Sequence, residues 1–243
     1  MRGHGRRRMT TVPRLYVPAA LGEGVTIAAT AAQAHYLGTV LRRAPGDPVH
    51  LFNGSDGEWQ ARVATLRRDQ ASFTVASQRR PQAPEPDLWL VFAALKRDAT
   101  DLVVQKATEL GAAALYPVFT ARTNTGRLNE ARLAAIAIEA AEQCERLTIP
   151  ALHPPRPLPD LLATWPPDRP LFAAIERHQA PLLRPATGPA ALLVGPEGGF
   201  TPAELEALHR HPFVTTASLG PRILRADTAC VAGLALLQAP GCG

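Results

Sequence analysis

Leu192-Leu193-Val194-Gly195-Pro196-Glu197-Gly198-Gly199-Phe200 is an apolar run that breaks into a glycine-rich turn. Thr201-Pro202-Ala203-Glu204 follows at once, a capping box with proline at the first helical position. The order is therefore strand, glycine turn, helix. In an open α/β sheet, ligands bind beyond the carboxyl ends of the strands. Glycine at that place lets backbone approach a ligand closely and accepts positive φ. The same residues also read as a tight strand-to-helix turn with no ligand, and this stretch alone does not separate the two.

A second stretch repeats the pattern. Phe213–Ala217 is an apolar strand candidate, and Ser218-Leu219-Gly220-Pro221-Arg222-Ile223-Leu224-Arg225-Ala226-Asp227-Thr228-Ala229 leads from it into a last apolar helix over Asp227–Ala239. Arg222, Arg225 and Asp227 are crowded beside two buried elements, which marks a candidate site. A salt-bridged helix start is the alternative. Two glycine-proline turns at the ends of two late strands outline an apolar slot lined by backbone groups.

Moving toward the N-terminus, strands and helices alternate from Leu88 onward. Leu88–Leu95, Ala113–Phe119, Leu171–Ile175 and Ala190–Val194 read as strands, with helices over Ala99–Leu110 and Leu128–Arg146. Near-continuous apolar strands between helices indicate an α/β fold with a mostly parallel sheet covered on both faces. Before residue 80 the rhythm is different. Strand candidates at Arg14–Val17, Val25–Ala28, Val49–Asn53, Glu58–Leu66 and Ser72–Ser77, with a helix capped by Thr30 over Ala31–Arg42, suggest a small barrel. Arg80–Asp87 holds three prolines and cannot continue a sheet interior. The expected organisation is a basic disordered tail over 1–12, a β-barrel over 13–80, a linker over 81–87 and an α/β domain over 88–243. The tail also reads as an RNA-binding arm, or as an upstream extension whose natural start is Met9.

Composition narrows the chemistry. The 243 residues carry a formal charge of +5, and of 26 basic residues only Lys96 and Lys106 are lysines. Arginine's planar fork suits phosphates and base edges, so an anionic partner is favoured, although a bias toward Arg, Ala and Pro explains the excess equally well. Three separated cysteines, Cys144, Cys230 and Cys242, support neither a disulfide framework nor a zinc ribbon, and fit a reduced cytoplasm. No metal is expected, and no apolar run reaches the roughly 20 residues needed to span a bilayer. Walker, G-x-G-x-x-G, H-E-x-x-H and G-x-S-x-G patterns are absent.

The two glycine stretches together resemble the RsmE family of small-subunit ribosomal RNA uridine-N3 methyltransferases. Val104–Gly111, Ile138–Cys144 and His35–Arg42 agree with it, so the resemblance runs from about Pro13 to Gln238. It implies an N-terminal PUA-like β-barrel and a C-terminal SPOUT α/β domain with a deep trefoil knot, acting as a homodimer. The implied cofactor is S-adenosyl-L-methionine, held by Leu193, Gly195, Glu197, Gly198, Leu219, Gly220, Ile223 and Leu224. The implied partner is small-subunit ribosomal RNA or the 30S subunit.

Arg225 is expected to hold the uridine or its phosphate, with Asp227 or a water easing loss of the N3 proton. Arg122, Arg127 and Arg146, and on the barrel Arg14, Arg42 and Arg43, are the expected RNA contacts. The sequence departs from the family pattern at two places. Asp227 stands where a glutamate is usual, and Glu145 replaces the usual glycine of Gln-Ser/Cys-Gly-Arg. Rival readings are a SPOUT enzyme with another RNA target, a non-catalytic RNA-binding ribosome assembly factor, and a small-molecule α/β enzyme.

Overall fold

Alternation of apolar and polar residues over short runs, punctuated by glycine and proline, gives way after residue 80 to unbroken apolar runs, and the two patterns fold into two units. The computed structural model describes residues 12–175 and 180–239. The chain divides into Met1–Ala83 and Pro84–Gly243. The basic tail expected over 1–12 lies, but for its last residue, outside the described residues, as does Cys242.

The first unit contains β1 (Arg14–Tyr16), β2 (Thr26–Ala28), α1 (Ala31–His35), β3 (Pro48–Phe52), β4 (Glu58–Leu66) and β5 (Ala71–Arg80). The five strands form one sheet in the order β1-β3-β4-β5-β2, parallel only between β1 and β3. Register shifts along β4 and β5 bend those long strands, and Leu15, Leu37, Val49, Leu51, Phe73 and Val75 fill the core they enclose.

The helix expected over Ala31–Arg42 divides in two. Thr30 caps α1 in a full capping box with Gln33, then Tyr36–Val40 widens into a π-helical turn. Gly38 in that turn weakens the α-helix. Arg42 ends the turn at φ 53°, and the Arg43 amide donates to the Leu37 carbonyl at 2.8 Å. Arg42 thus occupies the left-handed position that glycine usually fills at a helix end.

The second unit contains β6 (Leu88–Ala93), α2 (Arg97–Glu109), β7 (Ala114–Phe119), α3 (Glu130–Gln143), β8 (Ala151–Leu152), β9 (Arg156–Pro157), α4 (Leu158–Ala163), β10 (Leu171–Ala174), β11 (Ala190–Val194), α5 (Pro202–His209), β12 (Val214–Ala217) and α6 (Ala226–Gln238). Its sheet runs β12-β10-β11-β6-β7-β8, with β9 also on β7, and every ladder is parallel. Both faces are dry. Leu90, Phe92 and Leu192 pack with Val104, Leu115 and Leu234 on one face. Val91, Leu171, Ala173 and Leu193 pack with Leu161 and Trp165 on the other. Gly233 lets α6 lie on β11, since a Cβ there would stand 2.5 Å from Leu192 Cδ2.

The sequence reading missed β8, β9 and α4. They are two to six residues long and set among prolines, too short for periodicity to register. The helix expected from Ala99 begins two residues earlier. Its N-cap, Lys96, makes no side-chain cap, and Thr100 Oγ1 instead donates to the Leu95 carbonyl at 3.0 Å. Among the described residues no helix is long and apolar enough to cross a membrane.

Arg14, expected on the RNA surface, is instead buried. Its side chain is 7% exposed and its Nε donates to Glu58 Oε1 at 2.5 Å, while the guanidinium carbon lies 3.8 Å from the centre of the Phe52 ring. Strand register accounts for this, because Glu58 of β4 pairs with Phe52 of β3, which pairs with Tyr16 of β1, two residues along the same strand from Arg14. Arg79 and Arg80 reach the same carboxylate at 2.8 and 3.0 Å.

Burial alone would raise the Glu58 pKa, but hydrogen bonds and charge from Arg80 and Arg14 override it and hold the carboxyl below its usual value. The lowered pKa makes this contribution to stability full above the ordinary glutamate range and lost as pH falls through the folded pKa. Glu58→Gln, which removes the buried carboxylate that Arg14, Arg79 and Arg80 share, is expected to cost about 3–5 kcal/mol and to flatten the acid limb of a thermal-melt pH series below about pH 4.5.

Candidate functional site

Parallel register brings three strand ends to one level. Ala174 of β10 pairs with Val194 of β11 on one side and with Ala217 of β12 on the other. Beyond these ends lies a cavity of about 750 Å³. Its walls are the loop Gly195–Phe200, the loop Ser218–Leu224 and the first turns of α6 through Ala226 and Ala229, with Arg122 closing one side.

Each loop is held by local chemistry. In the first, the Gly199 amide donates to the Pro196 carbonyl at 2.8 Å, and Gly199 has φ 68°. Gly195 lies against Phe200, whose ring a Cβ at Gly195 would meet at 2.9 Å. Thr201 then caps α5, its Oγ1 accepting from the Glu204 amide while Glu204 Oε2 accepts from the Thr201 amide. In the second loop Ser218 Oγ accepts from the Gly220 amide at 3.2 Å, and Gly220 has φ 119°. A Cβ at Gly199 or Gly220 would meet no atom within 4 Å. Positive φ, not crowding, is what calls for glycine at these two positions.

The cavity gathers seven of the eight residues expected to hold a cofactor: Gly195, Glu197, Gly198, Leu219, Gly220, Ile223 and Leu224. Leu193 is the exception. Successive strand residues face opposite ways, so Leu193 packs with Val91 and Ala173 in the core, and its neighbour Val194 lines the cavity instead.

Arg225 and Asp227 stand at the edge rather than in the wall. Arg225 is the extended N-cap residue of α6, its side chain exposed. Asp227 Oδ1 accepts from the Thr228 amide at 2.7 Å and from Thr228 Oγ1 at 3.3 Å. Arg222, singled out in the sequence for its crowding, lines the cavity, and so does Arg122, whose Nη1 donates to the Gly198 carbonyl at 2.6 Å. Phe200 and Ile175 are lining residues that the sequence reading did not pick out. The glycine facing Phe200 was the available signal for the first, and the end of a strand for the second.

An RNA methyltransferase domain matches residues 82–238, and an RNA methyltransferase PUA domain matches residues 29–76. The ribosomal RNA small subunit methyltransferase E of Rickettsia conorii is 33% identical over 94% of this chain and 96% of its own length. The chain belongs to the ribosomal RNA small subunit methyltransferase E family. The Synechocystis member is 32% identical over 88% of this chain and 73% of its own. A crystal structure of the Neisseria gonorrhoeae member, bound to S-adenosyl methionine, superposes with a TM-score of 0.83 at 30% identity, covering 92% of this chain and 95% of that one.

Family membership gives meaning to one of the two departures. Glu145, in place of the family's usual glycine, follows the C-cap residue of α3 and has φ 62°. A left-handed residue just past a helix end is where glycine is favoured, and in this member of the RsmE family a glutamate takes that conformation. Arg146 beside it is a second correction to the expected RNA surface. Its side chain is 6% exposed, pairs with Glu85 at 2.6 Å, and donates to the Thr108 carbonyl at 3.0 Å. Burial lowers its pKa and the Glu85 charge opposes that shift. Arg42, Arg122 and Arg127 are exposed, and Arg43 is half-buried.

Packing at the first loop can be checked directly. Gly195→Ala is expected to cost about 1–3 kcal/mol through the clash with Phe200. That is a fall of several degrees in thermal midpoint at about 2–4 °C per kcal/mol. Gly188→Ala, at a position where a Cβ meets nothing within 4 Å, should leave the midpoint in place.

Proposed function

We propose that this chain transfers a methyl group from S-adenosyl-L-methionine to N3 of a uridine in small-subunit 16S ribosomal RNA. The observation that carries the reading is the cavity framed by two glycine loops at the carboxyl ends of β10, β11 and β12. Its volume of about 750 Å³ lies in the range of sites for ligands of the cofactor's size. Apolar Val194, Leu219, Ile223 and Leu224 suit an adenine ring and a methionine chain. Backbone groups at Gly195, Gly198 and Gly220 supply polar contacts without side chains in the way. The S-adenosyl methionine bound by the Neisseria relative supports the same assignment.

When bound, the sulfonium supplies an activated methyl group that needs only alignment. The residues of this chain must do the remainder. Uridine N3 attacks only as its proton leaves, so a base or a stabiliser of the developing anion has to stand beside it. Asp227 is the nearest carboxylate along the chain to the cavity-lining residues of α6, and its Oδ2 makes no hydrogen bond among the described residues. Asp227, or a water it orients, takes the N3 proton, and the methyl carried by the sulfonium would pass to nitrogen as its bond to sulfur breaks, leaving a neutral thioether. Arg225, exposed at the same helix start, holds the uridine oxygen or its phosphate. Holding both reactants in line supplies much of the rate.

Arg42, Arg43, Arg122 and Arg127 position the RNA backbone without reading its sequence. The rest of the reading is a homodimer acting on the 30S subunit in the cytoplasm, with the α/β domain knotted. Segment 180–186 is tied to two later elements. The Leu183 amide donates to the Ser218 carbonyl and the Ala186 amide to the Leu237 carbonyl.

The test is transfer of labelled methyl to small ribosomal subunits lacking the modification, followed by nucleoside analysis. Label is expected in 3-methyluridine, and Arg225→Ala and Asp227→Ala should each lower the rate about 100-fold or more. Label in a ribose or another base would overturn the uridine-N3 assignment. Full activity in both variants would remove the roles given to Arg225 and Asp227.

A further inference from the structure

Glu204 uses its two carboxylate oxygens for different purposes. Oε2 accepts from the Thr201 amide at 2.8 Å and from Thr201 Oγ1 at 3.0 Å, closing the capping box of α5. Oε1 faces another part of the chain and accepts from the Ala121 amide at 2.8 Å, across 83 residues of sequence. A capping box needs only the first of these, and glutamine serves it as well as glutamate. The second bond lies outside what helix capping requires.

What that second bond holds is a small turn. The Thr123 amide donates to the Thr120 carbonyl at 3.1 Å, and Thr123 Oγ1 accepts from the Thr120 amide at 2.9 Å. Ala121 and Arg122 are the central residues, so the Glu204 oxygen grips the turn one residue before the arginine. Arg122 then reaches across to the glycine loop. Its Nη1 donates to the Gly198 carbonyl at 2.6 Å, and its Cδ lies 3.3 Å from where a Gly198 Cβ would stand. A long exposed side chain loses rotamer freedom when fixed this way, and a turn anchored at its own backbone reduces that cost.

We infer that Glu204 is a positioning residue for the cavity: through the Ala121 amide it holds Arg122 on Gly198, which fixes the glycine-rich wall against the bound cofactor. Arg122 and Glu204 therefore act as one unit, with α5, the turn and the loop as its parts. The inference rests on the cavity being the S-adenosylmethionine site.

The experiment is calorimetric binding of S-adenosylmethionine to full-length wild type, Thr201→Ala, Glu204→Ala, Arg122→Ala and the Glu204→Ala/Arg122→Ala double variant. Thr201→Ala and Glu204→Ala both damage the helix cap, so both should lower the thermal midpoint. Only Glu204→Ala loses the grip on the turn. It and Arg122→Ala should each weaken binding about tenfold, the scale of one charge-assisted hydrogen bond. Thr201→Ala should stay within about twofold of wild type. The double variant should bind about as weakly as either single one, because the two residues share one path.

Glu204→Ala binding like Thr201→Ala, or a double variant showing the product of the two losses, would overturn the inference. A wild type that fails to bind S-adenosylmethionine would sink the functional reading instead. Amide exchange then reads the grip itself, with Ala121 expected to exchange faster in Glu204→Ala than in Thr201→Ala. Equal rates would overturn it.

Discussion

Parallel pairing across β10, β11 and β12 is the constraint on which the site depends. Ala174, Val194 and Ala217 stand level in the ladder, so the chain leaves β11 and β12 at the same edge. Each exit must turn sharply toward a helix. Glycine supplies the backbone angles at Gly199 and Gly220, while Gly195 gives room to the Phe200 ring. A sheet buried on both faces cannot easily shift its strands, because a slip would move whole rows of apolar side chains into the wrong layer. The three strand ends beneath the cavity are therefore held level with one another.

The helices finish what the strands begin. Gly233 lets α6 press against Leu192, which sets how far the second loop stands from the first. At the other wall, α5 starts directly after Phe200, under the cap of Thr201. Glu204 extends that cap to the turn bearing Arg122. The cavity wall is thus built from residues far apart in sequence, each held by a bond that also serves ordinary folding.

Much of this was legible in the sequence. The apolar run Ala190–Val194, the glycine turn and the Thr201–Glu204 box carried enough local information to place a strand, a loop and a helix, while the eight cofactor residues came from the family resemblance, and seven of them line the cavity. Leu193 was misplaced because the strand is buried on both faces, and an unbroken apolar run hides which residues point which way. Elements between Leu147 and Trp165 went unread because two-residue strands leave no period. The π-helical turn after His35 looked like continued helix, since Leu37 and Leu41 keep helical spacing while Gly38 relaxes it.

Charge was the least legible property. Composition pointed to an arginine-rich surface, yet Arg14 and Arg146 lie buried against Glu58 and Glu85. Those partners are remote in sequence, and only strand register and chain crossing bring them together. Glu145 is different: it was singled out as standing where the resemblance has a glycine, and that was the available signal for its left-handed backbone after α3. Arg122 carries the opposite lesson. It was expected to face RNA and does lie exposed, but its guanidinium is also joined to the wall of the cavity.

The most direct test of the account is a crystal structure of this protein grown with S-adenosylmethionine. The account predicts ligand density between Gly195–Phe200 and Ser218–Leu224, with the sulfonium methyl directed toward the side bearing Arg225 and Asp227. Density at another place, or an empty cavity at a cofactor concentration that supports methyl transfer, would contradict it.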